Sequence, residues 1–160
     1  MRILLLLLTC VGFFSSCKLP STREAEEHFV TIHAVEPSGG RSPGLIQLVE
    51  GSNSKIPLVR IPLITNLDIY HAENYSRGDK VFLRFSLTQI GANKWRTASA
   101  EYAGASVALV LGGEFKCRMF FKPYWQGDAS NVLDFETSLT TKGADEICSR
   151  IKKNYQVLKD

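Results

Sequence analysis

The sequence predicts an α+β fold, an antiparallel sheet with two helices packed on one of its faces. Three observations carry that prediction. Residues 80–87 alternate strictly, with Val81, Leu83, Phe85 and Leu87 against Lys80, Phe82, Arg84 and Ser86, the period of a half-buried strand. Thr88–Ala103 and Thr141–Tyr155 carry apolar residues at three- and four-residue steps, the period of an amphipathic helix. Gly112-Gly113 separates two strand-like runs, as a tight hairpin turn does. From Val81 onward the order is strand, helix, strand, strand, strand, helix, and the helices then cover one face of an antiparallel sheet.

The chain opens on a segment that reads as targeting rather than fold. Met1-Arg2 is followed by Ile3, the leucines from Leu4 to Leu8, and then Val11, Gly12, Phe13 and Phe14. A charged start, an apolar run of roughly 7–15 residues and a small-residue site are the parts of a signal peptide. A membrane-spanning helix needs about 20 apolar residues, and Ser15, Ser16 and Lys18 interrupt too early for one. Phe14-Ser15-Ser16-Cys17 is similar to the Leu-Ala-Gly-Cys pattern at which lipoprotein signals are cut, with Phe14 where Leu is commonest. Residues 1–17 are on this reading a bacterial lipoprotein signal ending at Cys17, the acylated (palmitate-bearing) first residue of the mature chain; cleavage elsewhere would leave Cys17 without lipid. Each buried CH₂ contributes about 0.8 kcal/mol, so several acyl chains anchor firmly. The expected location is the bacterial cell envelope, facing the periplasm. Lys18 stands where some bacteria place an Asp for inner-membrane retention, which favours an outer-membrane anchor.

Residues 18–27 (KLPSTREAEE) are polar and lack apolar periodicity, so they read as a tether. Ser21 and Glu24 have capping-box spacing, but no apolar stripe follows. Residues 28–160 then form a single domain, a length that buries most of its apolar surface without metal or disulfide staples. His28–Val35 sets Val30, Ile32 and Ala34 on one side, a strand pattern. Glu36–Gly44 is a loop on its Gly, Pro and Ser content. Leu45–Glu50 and Lys55–Ile61 are two short strands about Gly51–Ser54, and Pro57 and Pro62 argue for an edge position. Ile69–Tyr75 pairs with the strand at 80–87 through the turn Ser76–Asp79. Thr88 caps the first helix, Ala92, Trp95, Ala98 and Tyr102 form its buried stripe, and Gly104 ends it. Ser106–Leu111 and Phe115–Phe121 make the hairpin. Its second strand sets Phe115, Cys117, Met119 and Phe121 against Lys116, Arg118, Phe120 and Lys122. Val132–Thr137 is a further strand, with Leu133, Phe135 and Thr137 opposite Val132, Asp134 and Glu136. In the last helix the stripe is Ala144, Ile147, Cys148, Ile151 and Tyr155. Asp145 and Glu146 lie toward its positive end and Lys152 and Lys153 toward its negative end, each a favourable placement.

Charge gives no lead. Without Arg2 the chain carries 18 basic and 16 acidic residues, and no block of like charge marks a nucleic-acid tail. An oxidising envelope permits a Cys117–Cys148 disulfide; two buried free thiols are the other reading. There is no C-x-x-C and no paired histidine spacing, hence no zinc motif, and no cofactor is expected.

Several stretches also follow a known pattern. Pro62-Leu63-Ile64-Thr65-Asn66-Leu67-Asp68-Ile69 is similar to P-V-L-T-G-x-D-I. The run Val81 to Ala92 is similar to V-x-F-x-L-x-x-x-G-A, and Gly104 to Gly113 to G-x-x-L-A-I-V-L-D-G. In this order, over about residues 61–155, they resemble the head subdomain of the first periplasmic domain of the SecD/SecDF protein-export subunits. The resemblance implies a SecDF head-like, ferredoxin-like arrangement outside the membrane, in contact with emerging preprotein. Lys116-Cys117-Arg118-Met119 departs from the family's Ser-Ala-Pro. Asn154-Tyr155-Gln156-Val157 stands where the family continues toward its membrane helices. The sequence holds no intramembrane acid, so the resemblance does not carry proton-driven work to this chain.

The expected function is a non-enzymatic envelope lipoprotein, held at the membrane by lipid, whose domain binds exported protein segments or an envelope partner. The alternative is a structural lipoprotein of an envelope assembly with no role in export. The expected partner face is Lys80, Phe82, Arg84, Lys116, Arg118, Phe120 and Lys122, basic and aromatic groups that share one outward surface if their strands are close. The plainer reading of that face is cross-strand pairing with Asp134 and Glu136. His28, His33 and His71 read as solvated surface residues. A small hydrolase would need a nucleophile–base pair that the sequence does not offer.

Overall fold

A computed structural model of the chain describes residues 22–36, 45–48, 55–121 and 131–159. In order these form α1 (Thr22–Glu27), β1 (Val30–Ala34), β2 (Leu45–Leu48), β3 (Lys55–Leu58), β4 (Ile64–Thr65), a 3₁₀ turn (Asn66–Asp68), β5 (Ile69–Arg77), β6 (Lys80–Leu87), α2 (Gln89–Glu101), β7 (Ser106–Leu111), β8 (Glu114–Phe120), β9 (Val132–Thr137) and α3 (Thr141–Lys159). The class is α+β. The strands form three antiparallel sheets rather than one: β4-β1-β7-β8, β5-β6-β9 and the pair β2-β3. The signal segment with Cys17, the expected loop at 37–44 and the stretch 122–130 with Lys122 lie outside the described residues.

The two larger sheets turn their apolar sides toward one core. Leu83, Phe85 and Leu87 of β6 are buried there with Ile69 and Ala72 of β5 and Leu133 and Phe135 of β9. The four-stranded sheet contributes Val30, Ile32, Ile64, Val107, Leu109 and Leu111, and the helices add Ala92, Ala98, Ala144, Cys148 and Ile151. Phe85 and Phe135 meet with ring centroids 5.8 Å apart. Each fully buried side chain of this size contributes roughly 1.5–3 kcal/mol. A smaller cluster of Leu58, Ala108, Val110 and Phe115 lies on the other side of β7, with Val35 and Ile56 against it. There the β3 segment closes onto β1: Val59 N–H donates to Ala34 O (2.9 Å) and Glu36 N–H to Pro57 O (3.0 Å). Burial on both sides explains why β7 (SVALVL) reads as an unbroken apolar run.

Turn chemistry sets the registers. Gly112 and Gly113 both have positive φ, +58° and +85°, as a two-residue hairpin turn of type I′ requires. A bulge then shifts β8: Leu109 faces Cys117, but Val110 faces Phe115. Lys116 is the extra residue. The period-two expectation put Phe115 on the side of Cys117 and Met119. The bulge instead sends Phe115 to the smaller cluster, while Cys117 and Met119 pack on the main core. A second irregularity lies between Ile69 and His71 in β5; it turns Tyr70 outward, 53 % exposed.

Residues 22–27, expected to be part of a tether, are helical. The docking is polar, which is why apolar periodicity missed it. Arg23 donates to Leu158 O (3.2 Å) and Asn154 to Glu26 O (3.4 Å), while the Arg150 guanidinium lies 3.8 Å over the Phe29 ring. A helix this short depends on such tertiary partners. These bonds run antiparallel along α3, which continues past Tyr155 to Lys159 and buries Asn154 and Leu158. His33, expected on the surface, is buried. Its Nδ1 lies 2.9 Å from Val59 O and its Nε2 3.0 Å from Thr31 Oγ1.

Candidate functional site

The 3₁₀ turn is the joint that positions both long helices. Asn66 Nδ2 donates to Ile151 O of α3 (3.2 Å). Two residues on, the Asp68 carboxylate accepts from Thr65 N–H (3.0 Å) and from Lys94 Nζ of α2 (2.8 and 2.9 Å). Asp68 O accepts Thr88 N–H (2.8 Å), and the Thr88 hydroxyl caps α2 by accepting Gly91 N–H (3.0 Å). The Asp68 side chain is nearly inaccessible and that of Lys94 half exposed. This ion pair therefore fixes one wall of whatever lies beside α2.

What lies there is an open groove of about 510 Å³ between α2 and the segment leading into β4, lined by Pro62, Leu63, Ile90, Lys94, Thr97 and Glu101 among others. Leu63 N–H donates to Ile32 O (2.8 Å), which holds the Pro62-Leu63 wall to β1. Ile90 is 68 % exposed, a large apolar side chain beside an apolar floor. The sequence reading missed this site. Its signal was there: Ile90, Lys94, Thr97 and Glu101 recur at helical steps on the side of α2 away from the buried stripe.

The expected basic and aromatic face draws on two sheets. Lys80, Phe82 and Arg84 lie on β6, and Lys116, Arg118 and Phe120 on β8, in different sheets. On the β6 side the charges are paired across strands. Arg84 makes a two-pronged contact with Asp134 (2.8 and 3.0 Å), lies 3.8 Å from Glu73 and sits 4.7 Å over the Tyr75 ring. Its pKa is raised further by the Asp134 hydrogen bond and charge. Lys80 contacts Glu136 at 2.6 Å, and Tyr75 stacks on Phe82 with centroids 5.1 Å apart. This is the cross-strand ladder that the registers Glu73–Arg84–Asp134 and Tyr75–Phe82–Glu136 dictate. On β8, Lys116 lies 2.7 Å from Glu114, while Arg118 and Phe120 are exposed.

Cys117 and Cys148 are free thiols in this structure. Burial pushes the Cys117 thiol up to about 12, with Glu136 adding to the shift, and burial also raises Cys148. Neither is poised as a nucleophile, because the thiolate is the reactive form. His28 is exposed, and His71 lies 3.7 Å from Glu73. Burial is the main cause that lowers the pKa of His33, with a smaller contribution from His28; the Val59 carbonyl opposes them. Among the described residues no group of three His, Cys, Asp or Glu side chains is placed to hold a metal ion, and no helix is long and apolar enough to cross a membrane.

No family model and no curated protein matches the chain by sequence. Solved structures do match in fold. A crystal structure of SecDF in a super-membrane-facing form aligns with TM-score 0.60 at 16 % identity, over 81 % of this chain and 19 % of that one. A second SecDF structure, of a membrane component that enhances protein export, aligns with TM-score 0.58 at 14 % identity, over 81 % of this chain and 64 % of that one. The chain thus spans less than two thirds of either SecDF chain. In fold, this chain resembles the periplasmic domain of SecD, as the motifs around Asp68 and Gly91 lead one to expect.

Proposed function

We propose that this chain is a non-enzymatic binding domain of the bacterial cell envelope, anchored by lipid at Cys17, that holds extended segments of exported proteins. The observation that carries the proposal is the groove beside α2. An apolar floor of Pro62, Leu63 and Ala98, exposed Ile90, and a rim of Asn93, Lys94 and Glu101 suit an apolar chain whose backbone still needs polar partners. Its walls are fixed by the Asp68–Lys94 pair, so little ordering is needed on binding. The SecDF-like fold supports a place on the outer side of the membrane by analogy.

A photo-crosslinking residue placed at Ile90 in intact cells tests this. Adducts with several exported precursors are expected at Ile90 and not at Glu146, an exposed control position on α3. Adducts confined to lipoprotein-sorting components would contradict the export reading.

A further inference from the structure

The antiparallel docking of α1 on α3 fixes which end of the domain the lipid approaches. Arg23 reaches Leu158 O, Glu26 meets Asn154, and Phe29 meets Arg150, so the start of α1 lies beside the last turn of α3. From Cys17 to Thr22 the chain spans at most about 18 Å even fully extended. A lipid at Cys17 therefore keeps the last turns of α3 close to the bilayer. The opposite end, at Lys142, is about 25 Å further along the helix.

That near end carries a second groove, of about 560 Å³, lined by Tyr70, His71, Lys152, Tyr155, Gln156 and Lys159. Tyr70, the residue left unpaired at the β5 irregularity, forms one wall. Lys152, Tyr155, Gln156 and Lys159 share one side of α3, one helical turn apart. The nearest acid along β5, Glu73, is engaged by Arg84 and His71. Among the described residues neither Lys152 nor Lys159 has an ion pair, unlike Lys80 and Arg84 on the outer sheet. The tyrosines add rings with an apolar body and a polar tip, suited to a membrane–water boundary.

We propose that this end of the domain lies on the membrane and that the groove between Tyr70 and the last turns of α3 receives anionic phospholipid headgroups. The proposal rests on the anchor at Cys17. It adds a fixed orientation, with the last turns of α3 held at the bilayer.

The test uses the full chain isolated from cells and reconstituted into vesicles of phosphatidylcholine alone, or of phosphatidylcholine mixed with phosphatidylglycerol. Lysines are acylated with a water-soluble reagent and read by peptide mass. Lys152 and Lys159 should react about fivefold more slowly on the mixed vesicles at low salt, the change given by about 1 kcal/mol per lysine near an anionic surface. Lys142 should keep its rate, and salt should abolish the difference. In the Lys152→Gln variant the slowing at Lys159 should shrink. Equal rates on the two vesicle types, or slowing at Lys142 to the same degree, overturns the groove assignment while leaving the anchor intact. An intact mass without lipid at Cys17 overturns the anchor, and with it the geometry that brings the groove to the bilayer.

Discussion

A Cβ placed on Gly91 would lie 2.5 Å from the carbonyl oxygen of Asp68 and 2.9 Å from its Cβ. The first turn of α2 therefore rests directly on the backbone of the 3₁₀ turn. Alanine ordinarily stabilises a helix interior over glycine by about 1 kcal/mol. Here Gly91→Ala should instead destabilise, by about 1–3 kcal/mol from overpacking. The midpoint of urea unfolding reads the sign directly.

The same turn makes Lys94 a structural cation. Removing its charge leaves the Asp68 carboxylate, only 2 % exposed, with Thr65 N–H as its main partner. Stranding one member of a buried pair costs about 3–5 kcal/mol. Lys94 is half exposed, so water screens the pair and about 1–3 kcal/mol is expected for Lys94→Met. Asp68→Asn should matter less when Met already occupies position 94, which a double-mutant cycle in urea measures.

His33 gives the fold a pH dependence. Its two hydrogen bonds suit a neutral ring, with Nδ1–H donating to Val59 O and Nε2 accepting from Thr31 Oγ1. Burial lowers its pKa, so at acid pH the unfolded chain binds a proton that the folded chain resists. The stabilisation is complete above about pH 6.5 and is lost as pH falls from there through the lowered native value. Thermal melts of the wild type should drop through that range more steeply than those of His33→Gln.

The two thiols should be slow. With Cys117 pushed up to about 12 and Cys148 also raised, the native protein should resist alkylation at pH 8. In denaturant without reductant both peptides should become labelled. Failure to label them under those conditions would show a Cys117–Cys148 bond.

Much of this fold was legible because its signals are local. The alternation in β6, the Gly112-Gly113 turn and the stripe of α3 each depend on residues a few positions apart. What escaped depends on pairing across the chain. The β8 bulge at Lys116 reverses Phe115 without any mark in the sequence. The docking of α1 uses Arg23 and Asn154, whose partners are backbone carbonyls of another element. His33 reads as polar and is buried because β3 and its following residue Val59 cover β1. The division into separate sheets likewise escaped a strand-by-strand reading, and with it the placement of Arg84 and Arg118 in different sheets. The α2 groove was written at Ile90, off the buried stripe, but only the approach of Pro62 and Leu63 makes it a groove.

The most direct test of a peptide-holding groove is the affinity of the purified chain for a permanently unfolded, apolar polypeptide, compared between the wild type and Ile90→Asp. Ile90 is largely exposed, so the unfolding midpoint should not change. The wild type should bind, and the variant should bind roughly tenfold more weakly, the loss of about 1.4 kcal/mol expected of an anchoring side chain. Equal affinity in the two proteins, or no binding by the wild type, would contradict the account.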